Sequence, residues 1–357
     1  MRDDRLSLAH AAPTRGRVPR ILTTLNWWRR PAWMSRVEVL DREKMSTRAL
    51  LARLVASAPE YDVLVLDGAT GGAVRATDLG AAALLARRRS GPKVVLTDAT
   101  WARGRGLADR LACRAGLAAI DSERVLYCVL SSDEARLFPA TWGVPPDRVV
   151  FTPFYFTASD EDLAAPVSDD GGVFAGGDSI RDYRPLLAAA AHLDARVTIA
   201  TRVLGAARGL PPNVHAGPVT HPQFMAGLRE AGVVVVALAR TGDRSAGQQT
   251  YLNAMAMGKL VVVPDVLGVR DYVEHGKTGL IVPAGDAAAL EDALRWALHP
   301  AHRAAASAIA AQARATVRER FGPDLYAARV LAVADAAAGY RAPATGEARR
   351  GGAGLAS

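Results

Sequence analysis

The feature that most constrains this chain is an end-to-end alternation of short runs rich in β-branched residues with helical patterns. In the first half the β-type runs are residues 20–25 (RILTTL), 61–67 (YDVLVLD), 93–99 (KVVLTDA), 124–130 (RVLYCVL) and 148–154 (RVVFTPF). Helical patterns separate them, such as 46–58 and 132–143, the second opened by Ser132 with Asp133 and Glu134 in its first turn. Strands joined through helices pair in parallel, so the pattern predicts sheets covered by helices. Residues 165–172 (APVSDDGG) break it and read as a linker. The alternation restarts at 172–177, 196–201, 233–239, 259–265 and 278–283, and helical patterns over 286–298, 300–319 and 323–339 close the fold. The expectation is an α/β protein of two doubly wound units facing a central cleft, where ligands meet the strand C-termini. Its parts are a mobile tail at 1–18, a first domain at 19–164, the linker, a second domain at 173–320, a closing helix at 321–340 and a disordered Gly/Ala/Arg tail at 341–357.

A chain of 357 residues, 50% hydrophobic, is long enough to fill two cores. Cys113 and Cys128 give neither a disulfide framework nor a zinc spacing and suit a reducing, cytoplasmic compartment. The first twenty residues are charged and broken by proline, unlike a signal peptide. The longest apolar run, VVVVALA at 233–239, is far below the roughly 20 residues of a membrane span, so a soluble or peripheral protein is expected. A net charge of +8 favours anionic partners. The run ARRRS at 86–90 reads as a solvated helix end, and no zinc finger, RNA-binding strand or helix-turn-helix pattern accompanies it, so no nucleic-acid partner is expected.

Two glycine-bearing turns in the second half follow strands. In FAGGDSIRDYRPLL (174–187), Gly176 and Gly177 let backbone approach a ligand and Arg181 precedes a helix. In AGQQTYLNAMAMGKLVVV (246–263), Gly247 leads into exposed N–H groups at Gln248, Gln249 and Thr250, opening a helix that puts Leu252, Met255 and Ala256 on one face. A cation and a helix N-terminus suit a diphosphate. Gln249, Thr250 and Asn253 share a face that suits a ribose. Tight turns and a surface arginine would read the same way, and on these residues alone that alternative stays open. The G-x-G-x-x-G and Walker patterns are absent, and Lys259, after a helix, reads as structural.

The span GQQTYLNAMAMGKLVVVPDVLGVRDYVEHGKTGLIVPAGDAAALEDAL resembles the donor-binding half of retaining GT-B glycosyltransferases of family four, the glycosyl transferases group 1. Weaker likeness runs through FAGGDSIRDYRPLLAAA, NVHAGPV and VLSSDEARLFPATWGVPPDRVVFTPF. The resemblance implies a GT-B fold and transfer of a sugar, with retention, from a nucleoside diphosphate donor. It places the diphosphate clamp on Gly176, Gly177 and Arg181 and on Gly247 to Thr250, with Asp178 among the donor-binding residues, and the base against the loop around Gly217 and Val219. The family's paired glutamates fall on Ser245 and Asn253; the first usually lies near the donor sugar and the second holds the ribose. Neither is a carboxylate here. The family's arginine after the strand-one glycine falls on Gly177, leaving Arg181 as the cation that stabilises the departing diphosphate. Arg181 and Ser245 are thus the catalytic candidates. No metal or other cofactor is implied, and the carboxylates of residues 159–162 read as solvated. The family's first-domain histidine has no counterpart beyond His10, in the tail.

Acceptors in such folds meet the first domain. There LNWWRRPAWMSR (25–36) gathers Trp27, Trp28 and Trp33 with Arg29, Arg30 and Arg36, a mixture suited to an anionic membrane surface or a lipid-linked acceptor, or to a loop folded over the cleft with its tryptophans half-buried, or to rings that stack on a sugar. The leading expectation is a cytoplasmic glycosyltransferase in cell-surface glycan biosynthesis, free or peripheral at the inner face of the membrane. A catalytically silent nucleotide-sugar-binding partner of an active transferase is the alternative, followed by a nucleotide-sugar 2-epimerase using Asp178, Asp271 or His275.

Overall fold

The computed structural model describes residues 17–25, 30–69, 73–103, 106–168, 171–205 and 209–340. In chain order its elements are β1 (Ile21–Thr23), α1 (Pro31–Met34), β2 (Val37–Val39), α2 (Thr47–Ser57), β3 (Val63–Asp67), α3 (Ala73–Ala86), β4 (Lys93–Thr97), α4 (Leu107–Ile120), β5 (Val125–Val129), α5 (Ser132–Trp142), β6 (Val149–Phe151) and α6 (Asp160–Ala164). There follow β7 (Val173–Gly176), α7 (Arg184–Ala190), β8 (Val197–Ala200), β9 (Val214–Gly217), α8 (His221–Glu230), β10 (Val233–Val235), α9 (Gln248–Ala256), β11 (Leu260–Pro264), β12 (Leu280–Val282), α10 (Ala287–Leu298), α11 (Arg303–Arg320) and α12 (Pro323–Ala337). Two parallel six-stranded sheets result, ordered β2-β1-β3-β4-β5-β6 and β12-β11-β10-β7-β8-β9. Crossover helices cover both, the doubly wound architecture that the alternation implies.

The two strands that the sequence pattern misses, β2 and β9, are both sheet edges. Their burial is partial, so neither carries the continuous apolar run that marks a central strand. Strand β10 is the opposite case. Its residues alternate between two packed faces: Val233 and Val235 join Val173, Ala175 and Val262 on one, Val234 joins Phe174, Val261 and Val263 on the other.

The chain divides into two compact units. One comprises residues 1–97, 115–127 and 328–357, and the other residues 98–114 and 128–327. In the first, Trp33 is fully buried within α1, which removes it from the exposed aromatic cluster expected of residues 25–36. Burying the large apolar surface of an indole is favourable, and Trp33 is the buried residue of this four-residue helix. Arg36 forms a 2.7 Å ion pair with Asp335, and Arg30 is half-buried. Trp27, Trp28 and Arg29 lie outside the described residues, as do His10 and the tail from residue 341.

Helix α5 is capped by Ser131, not by Ser132 as the sequence suggests: Ser131 Oγ accepts the Glu134 N–H at 3.1 Å. Helix α9 starts at Gln248 as expected, but all its residues except Gln249 are buried. It lies against both β11 and α11, so the one-faced pattern read from its sequence understates its burial. Small residues at Ala254 and Ala256 permit that close packing.

Candidate functional site

In the second unit, strand register builds the site. Gly176 at the end of β7 pairs with Ala200 at the end of β8, which pairs with Gly217 at the end of β9. The C-terminal ends of these strands therefore open at one level, where ligands of such sheets bind. Gly176 is required by proximity: a Cβ there would fall 2.3 Å from the Phe224 ring. Gly177 has φ +111°, and its carbonyl accepts bonds from Tyr183 Oη at 2.6 Å and Thr201 Oγ1 at 3.0 Å.

Arg181 folds back over this turn. Its Nε donates to Gly176 O at 3.1 Å, Nη1 to Ser179 O at 2.7 Å and Nη2 to Thr250 Oγ1 at 3.2 Å. Thr250 lies in the first turn of α9, so Gly176, Gly177, Arg181 and the opening of α9 are brought together. Gly247, at φ +88°, caps that helix; a Cβ there would meet Leu238 at 2.8 Å. Its carbonyl takes the N–H groups of Thr250 and Tyr251, while those of Gln248 and Gln249 precede any intrahelical acceptor. Burial pulls the Arg181 guanidinium below its ordinary pKa, partly opposed by Tyr183, yet an arginine remains cationic at neutral pH. A cation beside a helix N-terminus can receive a diphosphate.

Other candidates are committed elsewhere. Asp178 accepts from Thr201 Oγ1 and from the N–H and Nε of Arg202, at 2.7–2.9 Å, and the Arg202 N–H leads the contacts that hold its carboxyl below the usual range. Asn253 is buried; its Oδ1 accepts the N–H groups of Thr157 and Ala158 at 2.7 and 2.9 Å, and its Nδ2 and Gln249 Nε2 both donate to Thr157 Oγ1. In this arrangement both amides hold the segment after β6. Val219 is exposed in the loop between β9 and α8. Lys259 donates to Ser168 O and, at 2.7 Å, to Ala231 O. Asp271 accepts Ser132 N–H and Oγ, and His275 Nδ1 accepts Ile281 N–H, so the two are engaged with different partners. Among residues 159–162, Ser159 and Asp162 form a capping box and Asp162 also meets Arg229 at 3.3 Å.

Two residues were not singled out as ligands in the sequence. Glu134, buried at 2% exposure, accepts Ser245 N–H at 2.8 Å and Ser245 Oγ at 2.9 Å, together with Leu130 N–H and Ser131 Oγ at 3.1 Å. Gln248 Nε2 donates to the same Ser245 Oγ at 2.5 Å. A carboxylate thus adjoins Ser245 although position 245 itself has none. Burial pushes the Glu134 carboxyl up, against the pull of these donors. Arg244 is the second: it donates to Ser179 Oγ at 3.0 Å and Thr100 O at 3.3 Å, and its buried Nε meets no acceptor among the described residues. It therefore lies beside the same 176–181 turn as Arg181. Contacts across more than 100 residues bring Glu134 and Ser245 together, and no local spacing encodes them.

Around this site the chain continues to close. Gly268, at φ +77°, sits where a Cβ would fall 2.6 Å from Ser131 Cβ and 2.8 Å from Ser245 Cβ, and its N–H donates to Asp133. In the first unit, Asp78 is buried and accepts Thr24 Oγ1 at 2.6 Å, Asp67 N–H at 2.9 Å and Arg42 Nη2 at 3.2 Å, with burial raising its pKa.

The family model described as Glycosyl transferases group 1 matches residues 179–299, which contain most of this site. No curated protein matches the chain in sequence. Among solved structures, Anabaena HepE in complex with UDP-glucose aligns with a TM-score of 0.60 at 15% identity, covering 89% of this chain and 100% of that one. A glycosyltransferase from Rickettsia africae aligns with a TM-score of 0.59 at 14% identity over 84% of each chain. Sucrose-phosphate synthase from Thermosynechococcus elongatus gives 0.58 at 19% identity, over 84% of this chain and 82% of that one. These likenesses define the fold as GT-B, two Rossmann-like domains.

Proposed function

We infer that the protein is a glycosyltransferase that takes a sugar, with retention, from a nucleoside diphosphate donor to a glycan or lipid-linked acceptor in cell-surface glycan biosynthesis. The observation that carries this reading is the convergence of the Gly176–Gly177 turn, Arg181 and the N-terminus of α9, joined by the Arg181–Thr250 bond. Diphosphate departure concentrates negative charge, and these groups meet it with a fixed cation and oriented N–H donors, without a protein nucleophile and without a metal ion. The match to the group 1 family over residues 179–299 supports the same class. With Trp33 buried, support for a membrane-facing aromatic cluster is reduced to residues outside those described, and a cytoplasmic setting rests on the cysteine usage.

A silent nucleotide-sugar-binding partner is the second reading, motivated by Ser245 and Asn253 in place of carboxylates. The Glu134 carboxylate against Ser245 favours the enzyme. Thermal unfolding with UDP, GDP, ADP, dTDP and their sugar conjugates near millimolar tests both. A ligand at 100 times its Kd adds about 2.7 kcal/mol, a rise of a few degrees. One nucleotide is expected to shift the midpoint and its sugar conjugate to be turned over. Binding without transfer or donor hydrolysis identifies the silent partner, and no shift with any nucleotide defeats both readings.

A further inference from the structure

A groove of about 790 Å³ opens in the second unit between α11, the end of α9 and the residues Val167, Ser168 and Gly171. Lys259, His299, Arg303, Arg314 and Arg318 line it, and no carboxylate does among the described residues. The arginines there differ from others of this unit that are paired. Arg181, Arg202, Arg229, Arg270 and Arg295 each have an acceptor, whereas the guanidinium groups of Arg303, Arg314 and Arg318 meet none among the described residues. Arg314 Nε is buried in that condition, with the side chain laid over Gly258, whose added Cβ would lie 3.4 Å from Arg314 Cδ. Taking a guanidinium N–H out of water without an acceptor is unfavourable, so the site gains from an anion.

Arg314 and Arg318 are one helical turn apart on α11, and Lys259, itself anchored to Ser168 O and Ala231 O, faces the same space. Arg303 lies about 16 Å further along the helix axis, beyond a floor of small residues that includes Ala310 and Ala311. The cationic end matches a phosphoryl group, and the volume falls within the roughly 300–1,000 Å³ of small-molecule sites. A concave groove of this size suits such a ligand better than the face of a bilayer. We propose that this groove is a second anion site, separate from the Arg181 turn, that binds a phosphorylated small molecule through Arg314 and Arg318. It stands whether or not the glycosyltransferase reading does.

Calorimetric titration of the full chain with inorganic pyrophosphate tests it. A pyrophosphate site is expected in the wild type, with a loss of roughly tenfold or more in the affinity of one site in R314Q/R318Q, whose melting curve stays that of the wild type because glutamine keeps the helix. R318Q alone, an exposed position, should give part of that loss. No binding by the wild type, or an unchanged isotherm in R314Q/R318Q, overturns the proposal. Asp169 and Asp170, between two lining residues, lie outside the described residues. Binding that appears in D169N/D170N but not in the wild type assigns the groove to the chain's own carboxylates and equally overturns it. Sedimentation with phosphatidylglycerol vesicles separates the sources of phosphate: a loss in R314Q/R318Q seen with vesicles and not with pyrophosphate assigns the site to a lipid headgroup and rejects the soluble ligand.

Discussion

Three donors of Arg181 are aimed at Gly176 O, Ser179 O and Thr250 Oγ1, so replacing it affects the turn as well as any anion above it. Arg181→Ala is expected to weaken UDP binding by roughly 1–3 kcal/mol and to lower the unfolding midpoint, because two carbonyls lose their donors. Calorimetry with UDP beside a melting curve separates the two; a lower midpoint with unchanged affinity leaves Arg181 a structural residue. Glu134 makes a pH-dependent prediction. Burial holds its folded pKa above the ordinary carboxylate value, so its contribution to stability is fully present below the unfolded pKa and is lost as pH rises through the folded one. In Glu134→Gln that dependence disappears, and the stability of wild type relative to the variant should fall with rising pH across this window and be flat above it. Urea unfolding at a series of pH values reads this directly. Arg181 could be named from its place after a glycine turn. Glu134 could not, since its partner Ser245 is 111 residues away and its own neighbours spell an ordinary helix start.

At the scale of elements, three side chains from the first turn of α5 or its cap, Ser132, Asp133 and Glu134, bind Asp271, Gly268 N–H and Ser245 in turn. The N-terminus of α5 is thereby fixed to the loops after β10 and β11. Gly268 allows that approach, and Gly268→Ala is expected to cost about 1–3 kcal/mol, from a left-handed backbone given a Cβ and from the close contacts with Ser131 and Ser245. Chemical unfolding measures it, and a change below a few tenths of a kcal/mol would mean that α5 can withdraw freely. Helix α9 shows where periodicity stops being informative. Its polar Gln249, Thr250 and Asn253 read as one face suited to a ribose, yet tertiary partners at Thr157 and Arg181 engage them.

On the scale of the whole molecule, ten of the twelve strands among the described residues lie in runs that the sequence marks as β-type, and the two it misses, β2 and β9, are edge strands. The sheet order is legible only as a class, doubly wound and parallel; the crossovers that place β1 and β7 inside their sheets require the assembled fold. The charge excess of +8 is likewise legible as a number, while the gathering of Arg303, Arg314 and Arg318 in one groove is a property of how α11 packs.

By itself the sequence determined the alternation, the fold class and the two glycine turns, because these depend on local propensity and on periodicities of two and 3.6 residues. Only the tertiary structure decided that Trp33 is core, that Asn253 holds the backbone of Thr157 and Ala158, and that Glu134 brings a carboxylate to Ser245. Those outcomes depend on which surfaces meet across long stretches of chain. Hydrogen-bond partners are chosen there by proximity and by the cost of leaving buried polar groups unsatisfied, and neither is written in local spacing.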